Sequence, residues 1–132
     1  MPSNNRSQLI KTQNNIIIAD CYNANPTSTM ESIISLNSMN ETNKIAILGD
    51  MLELGKESVS EHQNIIDYLA TNEIDCLLVG EYYQETACDF HKFKDVDRLI
   101  SFLKENQLND HLILLKGSRG IQLEKVINQN IF

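Results

Sequence analysis

Short, nearly continuous apolar runs alternate along the chain with longer stretches in which apolar residues recur every three or four positions. The runs are IIIAD (Ile16 to Asp20), KIAIL (Lys44 to Leu48, followed by Gly49), CLLVG (Cys76 to Gly80) and LILLKG (Leu112 to Gly117). They lack the in–out alternation of a half-solvated strand, and so predict strands covered on both faces, as in a parallel sheet. After Asn25-Pro26, the residues Met30, Ile33, Ile34 and Leu36 predict a helix, with Pro26 in its first turn and Asn25 as cap. Val59, His62, Ile65, Ile66, Leu69 and Ala70 form a second helical stripe, preceded by Ser58 and Glu61 at capping-box spacing. Val96, Leu99, Ile100 and Leu103 mark a third helix from Asp95 to Asn106, and Leu123, Val126 and Ile127 a fourth after Gly120. The order is strand, helix, strand, helix, strand, an irregular stretch, helix, strand, helix. It predicts an α/β domain with a largely parallel sheet. Ser7 to Thr12 add a short antiparallel edge strand, and the polar residues 1–8 read as a lead-in to a domain over 9–132.

Composition narrows the class. A chain of 132 residues with 42% apolar content holds one domain with a real core. Eleven Lys and Arg against 18 Asp and Glu give a net charge of −7, which argues against general binding to nucleic acid or to an anionic membrane surface. No apolar run approaches the roughly 20 residues of a membrane span, and no apolar leader follows Met1. Cys21, Cys76 and Cys88 are odd in number and irregular in spacing, as expected of a reduced, cytoplasmic protein.

Open sheets of this type bind ligands beyond the carboxyl ends of their strands. Three polar loops belong there. In DCYNANP, Asp20 can accept bonds from ribose hydroxyls, and Asn23 and Asn25 at a helix start can meet a phosphate or carboxylate; an Asn-rich capping turn explains the same letters. In GDMLELG, Asp50 can orient an amine or a basic neighbour, or the glycines can simply bracket a turn. In KGSRG, Arg119 can fork onto a carboxylate and Lys116 serve as a point charge, with Ser118 between them; a solvated basic turn is the plainer account. The GxxxxGK[ST] phosphate loop is missing. His62, His91 and His111 are scattered, and Cys88 with His91 has no second pair, so no metal site is expected. His62 lies on an apolar stripe and reads as a hydrogen-bonded packing residue. Cys21 has no histidine near it in sequence and reads as a small buried residue.

Taken together, IIIADCYNANPTS, KIAILGDMLELG, the SEHQ stretch, CLLVGE and LLKGSRG resemble the C-terminal domain of the Mur ligase family. The likeness is to its branch that joins D-alanyl-D-alanine to UDP-N-acetylmuramoyl-tripeptide in peptidoglycan synthesis, and it runs from Asn4 to Ile127. It implies a Rossmann-like three-layer domain that closes the ATP site of a three-domain enzyme. It also implies that the N-terminal and central domains are partners missing from this chain, and that Met1 before SNNRSQ marks an excised domain. ATP and Mg2+ then belong to the full enzyme. No cofactor and no ligase activity are expected of the isolated domain. By resemblance, Arg6 and Asp20 lie near the nucleotide ribose and phosphates, and Asn23 and Asn25 near the γ-phosphate. Lys116, Ser118 and Arg119 recognise the dipeptide carboxylate, and Asp50 helps place its amine. Ala19 departs from the family's IIDDxYNANP pattern by removing one carboxylate while Asp20 remains. Two other readings stand beside this one. The first is a stand-alone α/β module that binds an anion or nucleotide for regulation. The second is a related amide ligase of the folylpolyglutamate synthase or muramyl-peptide ligase type; those relatives tend to carry DGAHNP or DYAHTP where this chain has DCYNANP.

Overall fold

The computed structural model describes residues 8–21, 23–129 and 131–132. The strands are β1 (Gln8–Lys11), β2 (Ile16–Asp20), β3 (Lys44–Gly49), β4 (Asp75–Val79), β5 (His91–Phe93) and β6 (Leu112–Lys116). The helices are α1 (Pro26–Ser38), α2 (Ser58–Thr71), α3 (Glu81–Gln84) and α4 (Val96–Glu105). The strands form one sheet in the order β1-β2-β6-β3-β4-β5. Among the described residues, only β1 runs antiparallel, against β2; the other neighbouring pairs are parallel.

The layers follow from the period-2 geometry of strands crossed with the helical stripes. Ala46, Leu48, Cys76, Leu78, Leu112 and Leu114 meet Ile33 and Leu36 of α1 and Ile65, Ile66 and Leu69 of α2 on one face. The alternate residues Ile17, Ile45, Ile47, Leu77, Ile113 and Leu115 meet Val96, Leu99 and Leu103 of α4, together with Leu123 and Val126, on the other. The last strand in the sequence, β6, sits near the middle of the sheet and is buried at all five positions. Among the described residues, no helix is long and apolar enough to cross a membrane.

The caps decide where two helices begin. Asn25 Oδ1 accepts from Ser28 N at 2.8 Å while Ser28 Oγ accepts from Asn25 N at 3.2 Å, with Pro26 at the first helical position. Asp95 caps α4 by accepting from Arg98 N at 3.0 Å. Three details differ from the sequence reading. Ser58 and Glu61 form no capping box, because the 3-10 turn Gly55–Glu57 runs straight into α2 and Ser58 is already helical. The segment after Gly120 is two 3-10 turns, Arg119–Ile121 and Leu123–Gln129, interrupted by Gln122 at φ 63°. Leu123 and Val126, three apart, satisfy a 3-10 period as well as an α-helical one, so the stripe alone does not separate them. The irregular stretch after Gly80 contains the one-turn α3 and the three-residue β5, both too short to leave a periodic signal.

Candidate functional site

Because β6 lies between β2 and β3, the three polar loops leave neighbouring strands at the same rim. Registration pairs Asp20 with Lys116, and Lys116 with Leu48 one residue before Gly49. Hydrogen bonds then sew the loops together. Gly117 N donates to Asp20 O at 3.4 Å and Ser118 N to Asp50 O at 3.3 Å. The Ser118 hydroxyl accepts from Leu52 N at 3.2 Å and donates to Ala24 O at 3.5 Å, touching both other loops. A Cβ at Gly117 would stand 3.0 Å from the Gly49 Cα and 2.8 Å from Leu123 Cδ1, so this approach requires glycine.

Charge at the rim is arranged rather than dispersed. Lys116 Nζ lies 2.6 Å from Asp20 Oδ2 and 3.2 Å from Asn23 O, and the lysine side chain is 2% exposed. The second oxygen, Asp20 Oδ1, is buried and has no hydrogen-bond partner among the described residues. A groove of about 330 Å³ runs from this pair along α1, bordered by Ser28, Glu31, Ser32 and Ser35. Arg119 and Asn23 are exposed, and Arg119 opens the turn that follows Ser118. The Asn25 side chain is engaged as the α1 cap. Arg6 lies outside the described residues.

Asp50 is turned inward. Its oxygens accept from Tyr82 N at 3.0 Å and Tyr83 N at 3.1 Å, fixing the start of α3. Burial raises its carboxyl pKa above the ordinary value, opposed by the hydrogen bonds from those two N–H groups. Gly80, at φ 124°, is required beside it, since a Cβ there would fall 2.2 Å from Asp50 Cγ. His62, on the inward stripe of α2, accepts from Met51 N at 3.0 Å through Nε2. The Cys21 thiol is pushed up to about 12 by burial first, then by the carboxylates of Glu124 and Asp20, so it supplies no thiolate nucleophile at neutral pH. Among the described residues, no group of three or more His, Cys, Asp or Glu side chains is placed to hold a metal ion.

The sequence reading thus divides into two sets. Asp20, Lys116, Ser118 and Asp50 come together at one rim but are engaged with one another or with backbone, and Asn25 is engaged as a cap. Arg119 and Asn23 are exposed at the same rim. What sequence reasoning missed is the bracing of Asp50 onto α3; His62 is the hydrogen-bonded packing residue expected of it, and only its partner, Met51 N, was not legible. The signal available for that partner was a histidine on an otherwise apolar stripe, in the SEHQ stretch that follows GDMLELG.

The chain matches the family described as Mur ligase, glutamate ligase domain, over residues 5–119. A UDP-N-acetylmuramoyl-tripeptide--D-alanyl-D-alanine ligase of Rickettsia prowazekii is 35% identical over 93% of this chain, and the match covers 29% of that ligase. The ligase of the same description from Bacillus subtilis is 35% identical over 96% of the chain and 30% of its own length. The chain therefore spans under a third of these curated relatives. The crystal structure of MurF from Acinetobacter baumannii superposes with a TM-score of 0.83 at 27% identity, over 99% of this chain and 30% of that one. A MurF ligase from Thermotoga maritima, solved in complex with ADP, shares the fold with a TM-score of 0.79 at 22% identity, over 98% of this chain and 31% of that one.

Proposed function

The chain belongs to the Mur ligase family through its glutamate ligase domain, and from that premise we propose that it is the C-terminal domain of an ATP-dependent amide ligase. Its reaction is the addition of D-alanyl-D-alanine to UDP-N-acetylmuramoyl-tripeptide, in the cytoplasm, for peptidoglycan synthesis. The observation that carries this reading is the convergence of DCYNANP, GDMLELG and KGSRG on one rim, with Ser118 bonded to both other loops.

In the reaction, the terminal carboxylate of the tripeptide attacks the ATP γ-phosphorus, forming an acyl phosphate and releasing ADP. The dipeptide amine then attacks the acyl carbon, and phosphate leaves as the amide forms. An acyl phosphate must be shielded from water, and its oxyanions and the dipeptide carboxylate need facing donors. A rigid rim that closes over the central domain meets both needs. On this reading the exposed Arg119 meets the dipeptide carboxylate. Lys116 and Ser118 hold that loop in place, and Asp50 acts by fixing its neighbour loop rather than by touching the amine. Asp20 and the exposed Asn23 serve the nucleotide side, a role that the resemblance also gives to Arg6, and Asn25 sets the N-terminus of α1. Mg2+ and the phosphate loop belong to the two missing domains.

The test joins this chain to the N-terminal and central domains of a relative and follows phosphate release that depends on both peptide substrates. Arg119→Ala is expected to raise KM for D-alanyl-D-alanine while leaving KM for ATP near its starting value. Equal effects on both would overturn the assignment. The isolated chain is expected neither to turn over ATP nor to bind it tightly; tight binding would favour a self-contained nucleotide-binding module instead.

A further inference from the structure

His62 is fully buried, yet both its ring nitrogens are spoken for by backbone. Nδ1 lies 2.6 Å from Ser58 O, and a carbonyl oxygen only accepts, so Nδ1 carries the proton. Nε2 is then a bare lone pair, and Met51 N–H donates to it at 3.0 Å. The imidazole is therefore neutral and held in one tautomer by two backbone groups. Asp50 Oδ1 is 3.9 Å from Nε2, beyond hydrogen-bonding reach, and its oxygens are taken up by the N–H groups of Tyr82 and Tyr83. With no free nitrogen and no exposed surface, His62 is neither a general base nor a metal ligand.

The residue it holds is the hub of the rim. Met51 is flanked by Asp50, whose carbonyl accepts from Ser118 N, and by Leu52, whose N–H donates to Ser118 Oγ. Ser118 precedes the exposed Arg119 directly. We propose that His62 is a positioning residue for the dipeptide end of the reaction: its Nε2 lone pair fixes Met51 and thereby sets the loop on which Ser118 and Arg119 are carried. The inference rests on the ligase reading above for its substrate, and on this chain's own hydrogen bonds for its mechanism.

A purely structural histidine is distinguishable from this. The ring packs edge-on against Tyr83 at 4.6 Å and tilted against Tyr82 at 5.4 Å, a space that phenylalanine fills as well. Filling without an acceptor is His62→Phe; an acceptor at the Nε2 position without the ring is His62→Gln. In this chain, His62→Phe is expected to speed exchange of the Met51 and Leu52 amides about tenfold, the scale of one lost hydrogen bond, with His62→Gln recovering most of that protection. In the reassembled ligase, His62→Phe is expected to raise KM for D-alanyl-D-alanine several-fold with KM for ATP unmoved, again with recovery in His62→Gln. The wild-type chain gives a readout that needs no variant: nitrogen NMR should show a protonated Nδ1 and an unprotonated Nε2 coupled to the Met51 amide. A proton on Nε2, or unchanged Met51 exchange in His62→Phe, overturns the proposal, as does equal damage to both KM values by both variants. A wild-type ligase with no dipeptide-dependent turnover would overturn the ligase reading, while the exchange and NMR arms still decide the role of His62.

Discussion

The ammonium of Lys116 and the carboxylate of Asp20 meet at 2.6 Å across 96 residues of sequence, at the ends of two strands that lie side by side. Their side chains are 2% and 13% exposed, so each desolvated charge depends on the other. Breaking such a pair from one side leaves the survivor uncompensated. Lys116→Met is expected to cost about 3–5 kcal/mol, and Lys116→Met with Asp20→Asn to recover much of that loss. Urea midpoints of the two single variants and the double variant give the coupling. Additive losses would show that the pair does not act as a unit.

Asn25 separates capping from nucleotide contact. Its side chain accepts from Ser28 N at 2.8 Å, so Asn25→Ala is expected to destabilise the chain by about 1 kcal/mol, and Asn25→Ser to keep most of the cap. In the reassembled ligase, the capping role predicts that Asn25→Ser leaves KM for ATP unchanged. A rise in that KM with stability preserved would mean that the amide itself reaches the phosphate.

How much of this was legible in the letters follows from what each signal depends on. β3, β4 and β6 were readable because strands covered on both faces must be apolar at nearly every position, as LILL in β6 shows; β2 carries the same kind of run although Ile16 is exposed and Ile18 half-buried, with only Ile17 and Ala19 buried in the core. α1 was readable because Asn25, Pro26 and Ser28 solve the start of a helix locally. β5 was not, since three residues such as His91–Phe93 pair with β4 only once the sheet exists. The rim's composition was visible from DCYNANP, GDMLELG and KGSRG, but the direction of each side chain was not. Lys116 looks like a surface cation in KGSRG, and only the registration of β2 with β6 shows that Asp20 is waiting opposite it. Asp50 likewise looks solvent-facing until Tyr82 and Tyr83, more than thirty residues later, bring their N–H groups to it.

Gly80 and Gly55 make a matched pair for backbone strain. Both have positive φ, 124° and 61°, but a Cβ at Gly80 would strike the Asp50 carboxylate while one at Gly55 meets nothing within 4 Å. Gly55→Ala is expected to cost about 1 kcal/mol, the ordinary left-handed penalty. Gly80→Ala is expected to cost about 3 kcal/mol or more, because it adds the displacement of Asp50 from the start of α3. Thermal or urea midpoints compare the two directly; equal losses would show that the Asp50 contact carries no weight.

Cys21 ties stability to alkaline pH. Its thiol is raised from 9.0 to about 12, by burial and by the carboxylates of Glu124 and Asp20, with Lys116 pulling the other way. The unfolded chain therefore loses this proton first, and across that interval the folded state binds more protons than the unfolded one. The contribution is fully present below the unfolded value and is lost as pH climbs toward the folded one, so stability falls with rising pH. Cys76, raised mainly by its burial, adds to the fall with the same sign. Urea midpoints are expected to drop as pH rises from about 9 toward about 12, with Cys21→Ala flattening but not abolishing the slope. In the folded chain, Cys21 is expected to alkylate slowly at about pH 8, because the reactive thiolate is scarce there. An unchanged slope in Cys21→Ala, or fast alkylation at Cys21 itself in the native chain, would show that the thiol ionises far more readily than its surroundings allow.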